Sequence, residues 1–394
     1  MQYAHRYIQY AVTALTGYNG AMPLQHYLKQ FFAADKKYGS KDRRHITHLC
    51  YCYFRSGNAL QHLSAEERIR ISLYLCSDTL EGWTGLFSED WVTAHSKEVA
   101  QRIAFIQQEG IAFQPGSIFP WLDECSPDMD TAAFTQSHLQ QPLVFLRIRP
   151  RQEKQVLQVL ENNNIVYSRP EQNCIALAPG SKADQLLQIN QQVVVQDLSS
   201  QRIGSLFTHI HKPGTNQVWD CCAASGGKSI LAYDMLPDIR LTVSDVRASI
   251  IHNLKQRFVE AGIRNYQSFV ADLTSKAGIP RSDMFAGKFD VIICDAPCSG
   301  SGTWGRTPEQ LTFFTPAQIQ QYAILQKQII ATSATAVARN GYFLYITCSV
   351  FKKENEEQLA YIQEQTGMQV VASGLYQGFT ERADTMYAAL FVKS

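Results

Sequence analysis

An alternation of short apolar runs with helix-like segments over the C-terminal half constrains the fold most. After residue 217, five apolar runs read QVWDCC, LTVSD, QSFVAD, FDVIICD and YFLYITC. Helix-like spacing of apolar residues separates them near 227–236, 247–261 and 316–339. Buried runs that alternate with helices are typical of an α/β fold with a doubly wound parallel sheet. Ligands bind at the carboxyl ends of the strands in such a sheet, so we expect the functional residues there.

Residues 1 to about 125 precede the sheet and show helix-like spacing with almost no strand-like alternation. This spacing predicts a helical domain. Proline and glycine interrupt regular elements, and a group of them then marks a connector. They are Pro115, Gly116, Pro120 and Pro127. We therefore expect a domain boundary near residue 125.

A small α+β unit is expected between this boundary and the sheet. The run LVFLRIRPR, from residue 143, alternates and predicts a half-buried strand. Its outer face carries one aromatic residue and three arginines, namely Phe145, Arg147, Arg149 and Arg151. A helix over 152–162 and strands near 165–168 and 174–178 complete the unit up to roughly residue 206. The outer face suits stacking on single-stranded nucleic acid, and an ordinary solvated face is an equally good interpretation.

The charge balance alone indicates no polyanionic partner, because 36 Lys and Arg stand against 35 Asp and Glu. The distribution is uneven. Residues 1–60 hold 8 basic and 2 acidic residues, whereas residues 61–140 hold 4 and 12. The cluster Lys36, Lys37, Lys41, Arg43 and Arg44 suits phosphate contacts, although such clusters are more often solvated surface.

The ten cysteines include no CxxC pair, and no histidine spacing resembles a zinc site, so we expect no metal. The N-terminal sequence lacks the pattern of a secretory signal, and no run approaches 18 apolar residues. We therefore expect no membrane association and a reduced, cytoplasmic chain with free thiols.

The first apolar run of the sheet ends in DCCAASGGK, residues 220–228. Small residues there let backbone N–H groups and the start of a helix approach a ligand closely. The tail GKS also matches the end of a phosphate-binding P-loop, and the strand ending at Asp295 has the form of a Walker-B strand. The P-loop pattern needs a glycine where the chain has Cys222. A nucleotide hydrolase is therefore the alternative interpretation.

Two carboxylates follow the next two runs. Asp245 ends LTVSD, 19 residues beyond Gly226, and Asp272 ends FVAD. An acid about 20 residues after a glycine loop is where nucleoside ligands have their ribose hydroxyls bound. Asp272 lies next along the same edge, within reach of an adenine amino group. Although Asp is also a common helix N-cap, two carboxylates in register favour a nucleoside ligand without a triphosphate.

An aspartate and two cysteines follow the last two runs. Asp295 and Cys298 lie in DAPCSGSGTW, and Cys348 lies in TCS. A cysteine at the carboxyl end of a parallel strand points into the ligand crevice. A thiolate, a carboxyl group and a nucleoside-type cofactor together suit methylation of carbon 5 of a pyrimidine. The thiolate adds to C6, a hydrogen bond at N3 accepts the developing charge, and C5 then attacks an electrophilic methyl group.

Three segments, DCCAASGGK, DAPCSGSGTWGRTPE and YITCSVFKKENEE, together resemble the main motifs of the RsmB-like (Nop2/Sun) RNA cytosine-5 methyltransferases. Upstream, LVFLRIRP and VVVQDLSSQ are similar to the strand and the QD-x-SSQ element of the family's RRM-like subdomain, and downstream YAALFVK is similar to its closing strand. GSKDRRHITHLCYCYFR resembles part of a NusB-like helical RNA-binding domain. The chain departs from the family at Ser225, which replaces a proline, and at Thr307-Pro308-Glu309, which replaces Asn-Pro-Asp.

The resemblance implies an α/β, Rossmann-like S-adenosyl-methionine-dependent methyltransferase fold with an RRM-like α+β subdomain and an N-terminal helical domain. The implied division is 1–125 for the NusB-like RNA-binding domain, 126–206 for the RRM-like subdomain and 207–394 for the catalytic domain. It further implies an RNA partner, above all rRNA of the small subunit, no metal, no membrane, and a monomer in the cytoplasm.

The resemblance also implies roles for the residues at the sheet edge. Cys348 would be the nucleophile, Cys298 would assist product release, and Asp295 would line the cofactor and face the cytosine. The implied S-adenosyl-methionine site comprises Cys222, Ala223, Ala224, Ser225, Gly226, Gly227, Lys228, Asp245, Asp272 and Asp295. DNA cytosine-5 enzymes use the cysteine corresponding to Cys298 as the nucleophile, so the presence of both cysteines indicates RNA. A non-catalytic RNA-binding protein remains an alternative, but it leaves both cysteines unexplained.

Overall fold

The computed structural model describes residues 4–35, 37–210, 216–275 and 285–394. Its α-helices are α1 (Ala4–Thr16), α2 (Leu24–Ala34), α3 (Ser40–Arg55), α4 (Ala65–Cys76), α5 (Glu89–Ala94), α6 (Val99–Gln108), α7 (Thr131–Ser137), α8 (Glu153–Asn162), α9 (Leu198–Arg202), α10 (Gly227–Met235), α11 (Ala248–Glu260), α12 (Gln310–Phe313), α13 (Ala317–Ser333) and α14 (Glu356–Thr366). Its strands are β1 (Val144–Ile148), β2 (Tyr167–Ser168), β3 (Cys174–Leu177), β4 (Val193–Val195), β5 (Asn216–Asp220), β6 (Ile239–Asp245), β7 (Tyr266–Val270), β8 (Phe289–Asp295), β9 (Val337–Thr347), β10 (Gln369–Gln377) and β11 (Thr385–Val392). Within these residues, no helix combines the length and the apolar composition needed to cross a bilayer.

The chain divides into two compact units, and neither is a continuous segment. The helical unit comprises Met1–Asp123, Asp130–Gln141 and Thr303–Thr315. The α/β unit comprises Glu124–Met129, Pro142–Gly302 and Pro316–Ser394. The division into three domains stays a prediction, because the small α+β sheet and the large sheet both lie in the α/β unit.

The helical unit contains α1 to α7 and α12. Its helices form where the sequence supplies both an apolar face and a start signal. The helix α4 begins with a capping box, in which the Ser64 hydroxyl accepts from the Glu67 amide at 3.3 Å and the Glu67 carboxylate accepts from the Ser64 amide at 3.3 Å. The side chains of Ile46 and Leu49 on α3 are fully buried. The N-terminal helices are therefore confirmed.

One segment of this unit, 303–315, follows the fourth strand of the predicted sheet in sequence. The buried carboxylate of Glu309 accepts a hydrogen bond from the first amide of α2, at Leu24, at 3.0 Å. Its burial raises the pKa of Glu309. The Asn58 side chain donates to the Leu311 carbonyl at 3.0 Å. The sequence assigns this segment to the sheet domain, whereas its contacts place it among the helices.

The small sheet of the α/β unit has the strand order β2-β3-β1-β4, with antiparallel pairs throughout. The helix α8 follows β1, and its buried Val156 and Leu160 pack in the same cluster as Leu146 and Ile148 of the strand. This is the α+β unit that the sequence predicts, and its helix and strands lie within a few residues of the expected positions.

The prediction of a half-buried β1 with a basic outer face is wrong. Phe145 is 2% exposed and Arg147 is 6% exposed, so both faces of the strand are covered. The Arg147 and Arg149 guanidinium groups bind the Asp234 carboxylate on α10 at 2.7 and 2.6 Å. The buried ion pairs use these arginines inside the unit, and this removes the basis for a nucleic-acid stacking face on β1.

The large sheet has the order β10-β11-β9-β8-β5-β6-β7. The pairs from β9 through β7 are parallel, and β11 and β10 add an antiparallel edge. Side chains from α10 and α11, such as Ile230 and Phe258, pack on one face. Ile329 of α13 and Ile362 of α14 pack on the other. The predicted doubly wound, Rossmann-like α/β fold is confirmed.

Candidate functional site

The loop that follows β5 turns sharply to start α10. Ala224 and Gly226 have φ angles of +43° and +83°. A Cβ atom at Gly226 would lie 2.8 Å from the Phe258 ring, so the position needs both the left-handed backbone and the missing side chain of glycine. The loop amides and the start of α10 consequently lie at the carboxyl edge of the sheet.

A cavity of about 440 Å³ opens at this edge, beyond the ends of β5, β6 and β7. Of the residues predicted to bind the cofactor, Cys222, Asp245 and Asp272 line it. Apolar side chains complete much of the wall, namely Val246, Leu273, Leu325 and Ile329. The other residues predicted for this site do not belong to its lining: Ala223, Ala224, Ser225, Gly226, Gly227, Lys228 and Asp295.

The two cavity carboxylates differ in their surroundings. Asp245 is 6% exposed, and its oxygens accept from the Ala224 amide at 3.1 Å and the Arg247 amide at 3.0 Å. Asp272 is exposed and accepts from the amide and hydroxyl of Thr274 at 2.9 and 2.7 Å. These hydrogen bonds lower the pKa of Asp272. Asp245 is thus held in one orientation, and Asp272 is ionised at neutral pH.

Lys228 connects the turn after β5 to the end of β8. Its buried ammonium donates to the Ser200 hydroxyl at 2.7 Å and to the Asp295 carboxylate at 3.2 Å. The Asp295 side chain remains 30% exposed, so it can also accept a bond from a ligand. In a P-loop the lysine binds phosphate, whereas Lys228 binds two side chains of the protein itself, Ser200 and Asp295.

Ser200 belongs to a longer chain of hydrogen bonds that reaches the small sheet. The Gln196 amide nitrogen donates to the Ser200 hydroxyl at 3.1 Å, and the Gln196 carbonyl accepts from Arg147 at 2.7 Å. The QD-x-SSQ element therefore supports Lys228. The sequence resemblance flags this element, but it gives no sign of which side chain touches the site.

Two sulfur atoms meet at the ends of the neighbouring parallel strands β8 and β9. Cys298 follows the end of β8 by three residues and Cys348 directly follows β9. Their sulfur atoms lie 3.2 Å apart, and both side chains are partly exposed. The hydrogen bond with the Cys348 sulfur raises the pKa of Cys298 well above its usual range. Cys298 therefore carries a proton that it can share with Cys348.

The loop of Cys298 passes so close to that of Cys348 that it requires a glycine. The Gly302 amide donates to the Cys348 carbonyl at 2.9 Å. A Cβ atom at Gly302 would collide with the Thr385 carbonyl and approach the Cys348 carbonyl to 3.1 Å. The second glycine of the GSG sequence thereby fixes the two loops against each other.

A second cysteine group, with three members, lies near the cavity. The sulfur atoms of Cys221, Cys222 and Cys294 lie within 4.8 Å of one another, although the sequence has no CxxC spacing that would indicate such a group. Burial raises the pKa of Cys221 well above its usual range, which favours the neutral thiol. Cys221 and Cys294 pack in the apolar cluster beneath the cavity, and Cys222 packs against it.

Two buried side chains at the site were missed by sequence reasoning. Ser200 is one, and Glu354, which is fully buried behind the two thiols, is the other. Glu354 lies in the run KKENEE, whose charges are typical of a solvated surface. The segment YITCSVFKKENEE, which resembles a family motif, contains Glu354, but the resemblance did not indicate a role for this residue.

Asp220, at the end of β5, is fully buried and accepts from the Ser229 hydroxyl at 2.6 Å. Burial, aided by the Asp295 charge, raises its pKa from the ordinary 3.8 to about 7. The folded state therefore binds a proton more tightly than the unfolded state does. The stability from this proton is complete below about pH 4 and is lost as the pH rises through 7.

We expect Asp220→Asn to gain stability relative to the unchanged protein as the pH rises from 5 to 8. Asparagine keeps an acceptor for Ser229 and cannot ionise. The difference in unfolding free energy should change by at most about 3 kcal/mol over this range, because the slope of about 1.4 kcal/mol per pH unit ends near the folded pKa. Urea unfolding at pH 5 and pH 8 measures it, and a difference that does not vary with pH would contradict the buried-acid interpretation.

Residues 212–380 match the family model described as 16S rRNA methyltransferase RsmB/F. A curated relative, ribosomal RNA small subunit methyltransferase B of Yersinia enterocolitica, is 27% identical over 212 residues, which are 51% of this chain and 47% of the relative. The protein of the same name from Xanthomonas campestris is 30% identical over 189 residues, covering 47% and 41%. Mouse tRNA (cytosine(72)-C(5))-methyltransferase NSUN6 is 28% identical over 178 residues, covering 43% and 36%. The chain spans about half the length of these curated relatives, or less.

Two solved structures share the fold. The crystal structure of PH0851 superposes with a TM-score of 0.67 at 20% identity and covers 99% of this chain and 98% of that one. A methyltransferase homolog protein from Pyrococcus horikoshii has a TM-score of 0.56 at 17% identity, with coverage of 69% and 92%. The matched residues 212–380 hold the turn after β5, Asp295 and both cysteines. Over these residues, the chain is similar to the RsmB/F family of 16S rRNA methyltransferases.

Proposed function

We propose that the protein is an S-adenosyl-methionine-dependent RNA (cytosine-5-)-methyltransferase that acts on rRNA of the small subunit. The observation that carries this proposal is the pair of sulfur atoms of Cys298 and Cys348. They lie 3.2 Å apart at the carboxyl edge of the sheet. A nucleotide hydrolase has no use for two thiols there. The match of residues 212–380 to the RsmB/F family model and the names of the relatives support the same reaction.

The cavity beside β5, β6 and β7 fits the cofactor. Its volume of about 440 Å³ lies in the ordinary range for small-ligand sites. Asp245 is orientated to accept from ribose hydroxyls, and Asp272 can accept from an adenine amino group. The apolar wall, which includes Leu273 and Leu325, suits the faces of a purine ring. The cofactor, when bound, supplies the electrophilic methyl group.

Cys348 is the nucleophile of the proposed reaction. Its sulfur adds to C6 of the cytosine, and the electrons of the C5–C6 double bond move towards N3. Asp295, in its protonated form, donates to N3, and its other oxygen accepts from the exocyclic amino group. The donated hydrogen bond stabilises the negative charge that develops at N3. Lys228 keeps the Asp295 carboxylate in place. The addition leaves C5 electron-rich enough to accept a methyl group.

Cys298 acts at the end of the reaction. After methylation, a general base takes the proton from C5, and the electrons of the C5–H bond form the C5–C6 double bond again. The C6–S bond breaks, and its electron pair leaves with the Cys348 sulfur as a thiolate. Cys298 lies beside the departing sulfur and can exchange a proton with it. The high pKa of the Cys298 thiol favours this role, because a thiol that holds its proton does not compete with Cys348 for C6.

The target cytosine must leave its stack to reach Cys348, which is easiest in a single-stranded or splayed region of RNA. We therefore propose an RNA substrate with an accessible loop, and a monomeric, cytoplasmic enzyme that meets it during ribosome assembly. The use of Lys228 by Ser200 and Asp295 weighs against the nucleotide hydrolase alternative.

The proposed function predicts tritium transfer from methyl-labelled cofactor to rRNA, at one or a few cytosines that bisulfite sequencing maps to C5. A strain that lacks this chain should lose the same methylated sites.

Purified Asp245→Ala should bind S-adenosyl-homocysteine about 30-fold more weakly in calorimetry, because a buried carboxylate that binds hydroxyls contributes about 2 kcal/mol.

Glu260→Ala serves as the matched control, since this acid lies at the end of α11 and binds Asn190 outside the cavity. It should keep the affinity of the unchanged protein. Magnesium-dependent ATP binding without binding of S-adenosyl-homocysteine would instead support the hydrolase.

A further inference from the structure

The side chain of Glu354 connects the loops that carry the two cysteines. One carboxylate oxygen accepts from the amide of Ser299 at 2.8 Å, and the other accepts from the hydroxyl of Ser349 at 2.9 Å. Ser299 directly follows Cys298, and Ser349 directly follows Cys348. A single buried carboxylate thus holds the neighbour of each thiol.

The residues on the other side of each cysteine are also held. Gln326 of α13 donates to the Pro297 carbonyl at 3.0 Å and to the Glu354 carboxylate at 3.1 Å. Asn355 accepts from the Thr347 hydroxyl at 2.6 Å and donates to the Ser349 carbonyl at 3.0 Å. Both flanks of both cysteines are consequently fixed by Gln326 and the adjacent pair Glu354-Asn355.

Hydroxyl groups fill the space between the loops. The Ser301 hydroxyl lies 3.1 Å from that of Ser299 and 3.2 Å from that of Ser349, and it accepts from the Val350 amide at 2.9 Å. Ser301, Ser349 and Glu354 are all fully buried. A connected and buried polar network of this kind holds its members in one geometry.

Glu354 touches neither sulfur atom in this network, so it belongs to the support of the site rather than to its reacting groups. We propose that Glu354 is a positioning residue that sets the separation of the Cys298 and Cys348 thiols and thereby controls release of the methylated product. The inference rests on the proposed function for its effect on turnover, and on the geometry alone for its effect on the thiols.

The charge of Glu354 acts in the same direction as its geometry. Its negative charge contributes to the raised pKa of Cys298, after the larger effects of the bond to Cys348 and of burial. The carboxylate therefore helps to keep the Cys298 proton in place. Glutamine at this position keeps the shape and removes the charge, and alanine removes both.

We expect Glu354→Gln and Glu354→Ala to lower kcat about tenfold, with KM for RNA within about twofold, since small misplacements of reacting groups act on the chemical steps. The fraction of enzyme bound covalently to RNA on denaturing gels should rise, because slow release of the adduct lets it accumulate. In the free protein, the yield of the Cys298–Cys348 cross-link with dibromobimane should fall about fivefold.

Glu356→Gln is the matched control. This half-buried acid lies two residues away and accepts from Ser126 at 3.0 Å, without a contact to either cysteine loop. It should match the unchanged protein in all three measurements. If Glu354→Ala does not fold, Ser349→Ala can be tested in its place. This variant removes one hydrogen-bond partner of Glu354 and should give a cross-link yield between those of Glu354→Gln and the unchanged protein.

The cross-link measurement needs neither RNA nor the cofactor, so it decides the positioning role even if the protein methylates no RNA. Unchanged cross-link yields in both Glu354 variants would overturn the proposal. A loss of kcat with an unchanged adduct fraction would overturn the part that concerns product release.

Discussion

Cys348→Ala is expected to lower methyl transfer by about 10⁴-fold or more, because without the sulfur C5 never becomes a nucleophile. Binding of S-adenosyl-homocysteine should stay unchanged, since Cys348 does not line the cavity. Transfer of tritiated methyl groups to rRNA under single-turnover conditions measures the loss.

Cys298→Ala should instead leave the enzyme attached to RNA, in a complex that survives denaturant on a gel. In the proposed mechanism, the first addition needs Cys348 alone, whereas expulsion of the sulfur needs the neighbouring thiol of Cys298. A stable complex formed by Cys348→Ala, and absent from Cys298→Ala, would reverse the two roles.

Cys174→Ala provides the control for both variants. This cysteine is fully buried in the small sheet, and burial raises its pKa to about 12. A thiol in that state is neither nucleophile nor acid at neutral pH. The variant should show neither loss of turnover nor covalent complex.

Asp295→Asn is expected to lower kcat about 10³-fold, with the affinity for S-adenosyl-homocysteine nearly unchanged. In the proposed mechanism, the protonated Asp295 side chain donates to N3 and stabilises the negative charge that develops there, and removal of one such donor typically costs 10²- to 10³-fold or slightly more. Asparagine also loses the ion pair with Lys228, which positions the side chain. Single-turnover rates with saturating RNA measure the effect.

Asp290→Asn is the corresponding control on the same strand. The Asp290 carboxylate accepts from the Gln217 amide at 2.8 Å, near the start of β8 and away from the carboxyl edge. Its turnover should match that of the unchanged protein within about twofold. Equal losses in both variants would indicate damage to the sheet rather than loss of charge stabilisation.

The sequence predicts the centre of the large sheet well because strands such as β5 and β8 are buried on both faces and alternate with helices. The expected helix over 247–261 is observed at Ala248–Glu260, and the expected strand end at Asp295 is observed. The antiparallel edge strands β10 and β11 do not belong to the alternation of apolar runs and helices. The resemblance of YAALFVK to the family's closing strand indicated β11 alone. Strand β10 has no apolar run as clear as those of the core strands.

The sequence also brings Asp295, Cys298 and Cys348 to one edge, since parallel strands end on the same side of a sheet. It gives no access to contacts made across the fold. The burial of Arg147 depends on Asp234, which is 87 residues away, and the burial of Glu354 depends on α13 and on two serine loops. Charged residues look solvated in a sequence whenever their partners are distant.

The segment 303–315 begins five residues after Cys298 and packs among the helices of the helical unit. Its Trp304 and Leu311 are almost completely buried, and the Trp304 ring contacts those of Phe119 and Trp121. A truncated protein that starts at the small sheet would retain these aromatic surfaces but lose the helices that cover them. The N-terminal helices therefore cannot be removed without exposing these apolar side chains. Fusion of the methyltransferase part to a different domain would require new residues that cover the segment 303–315.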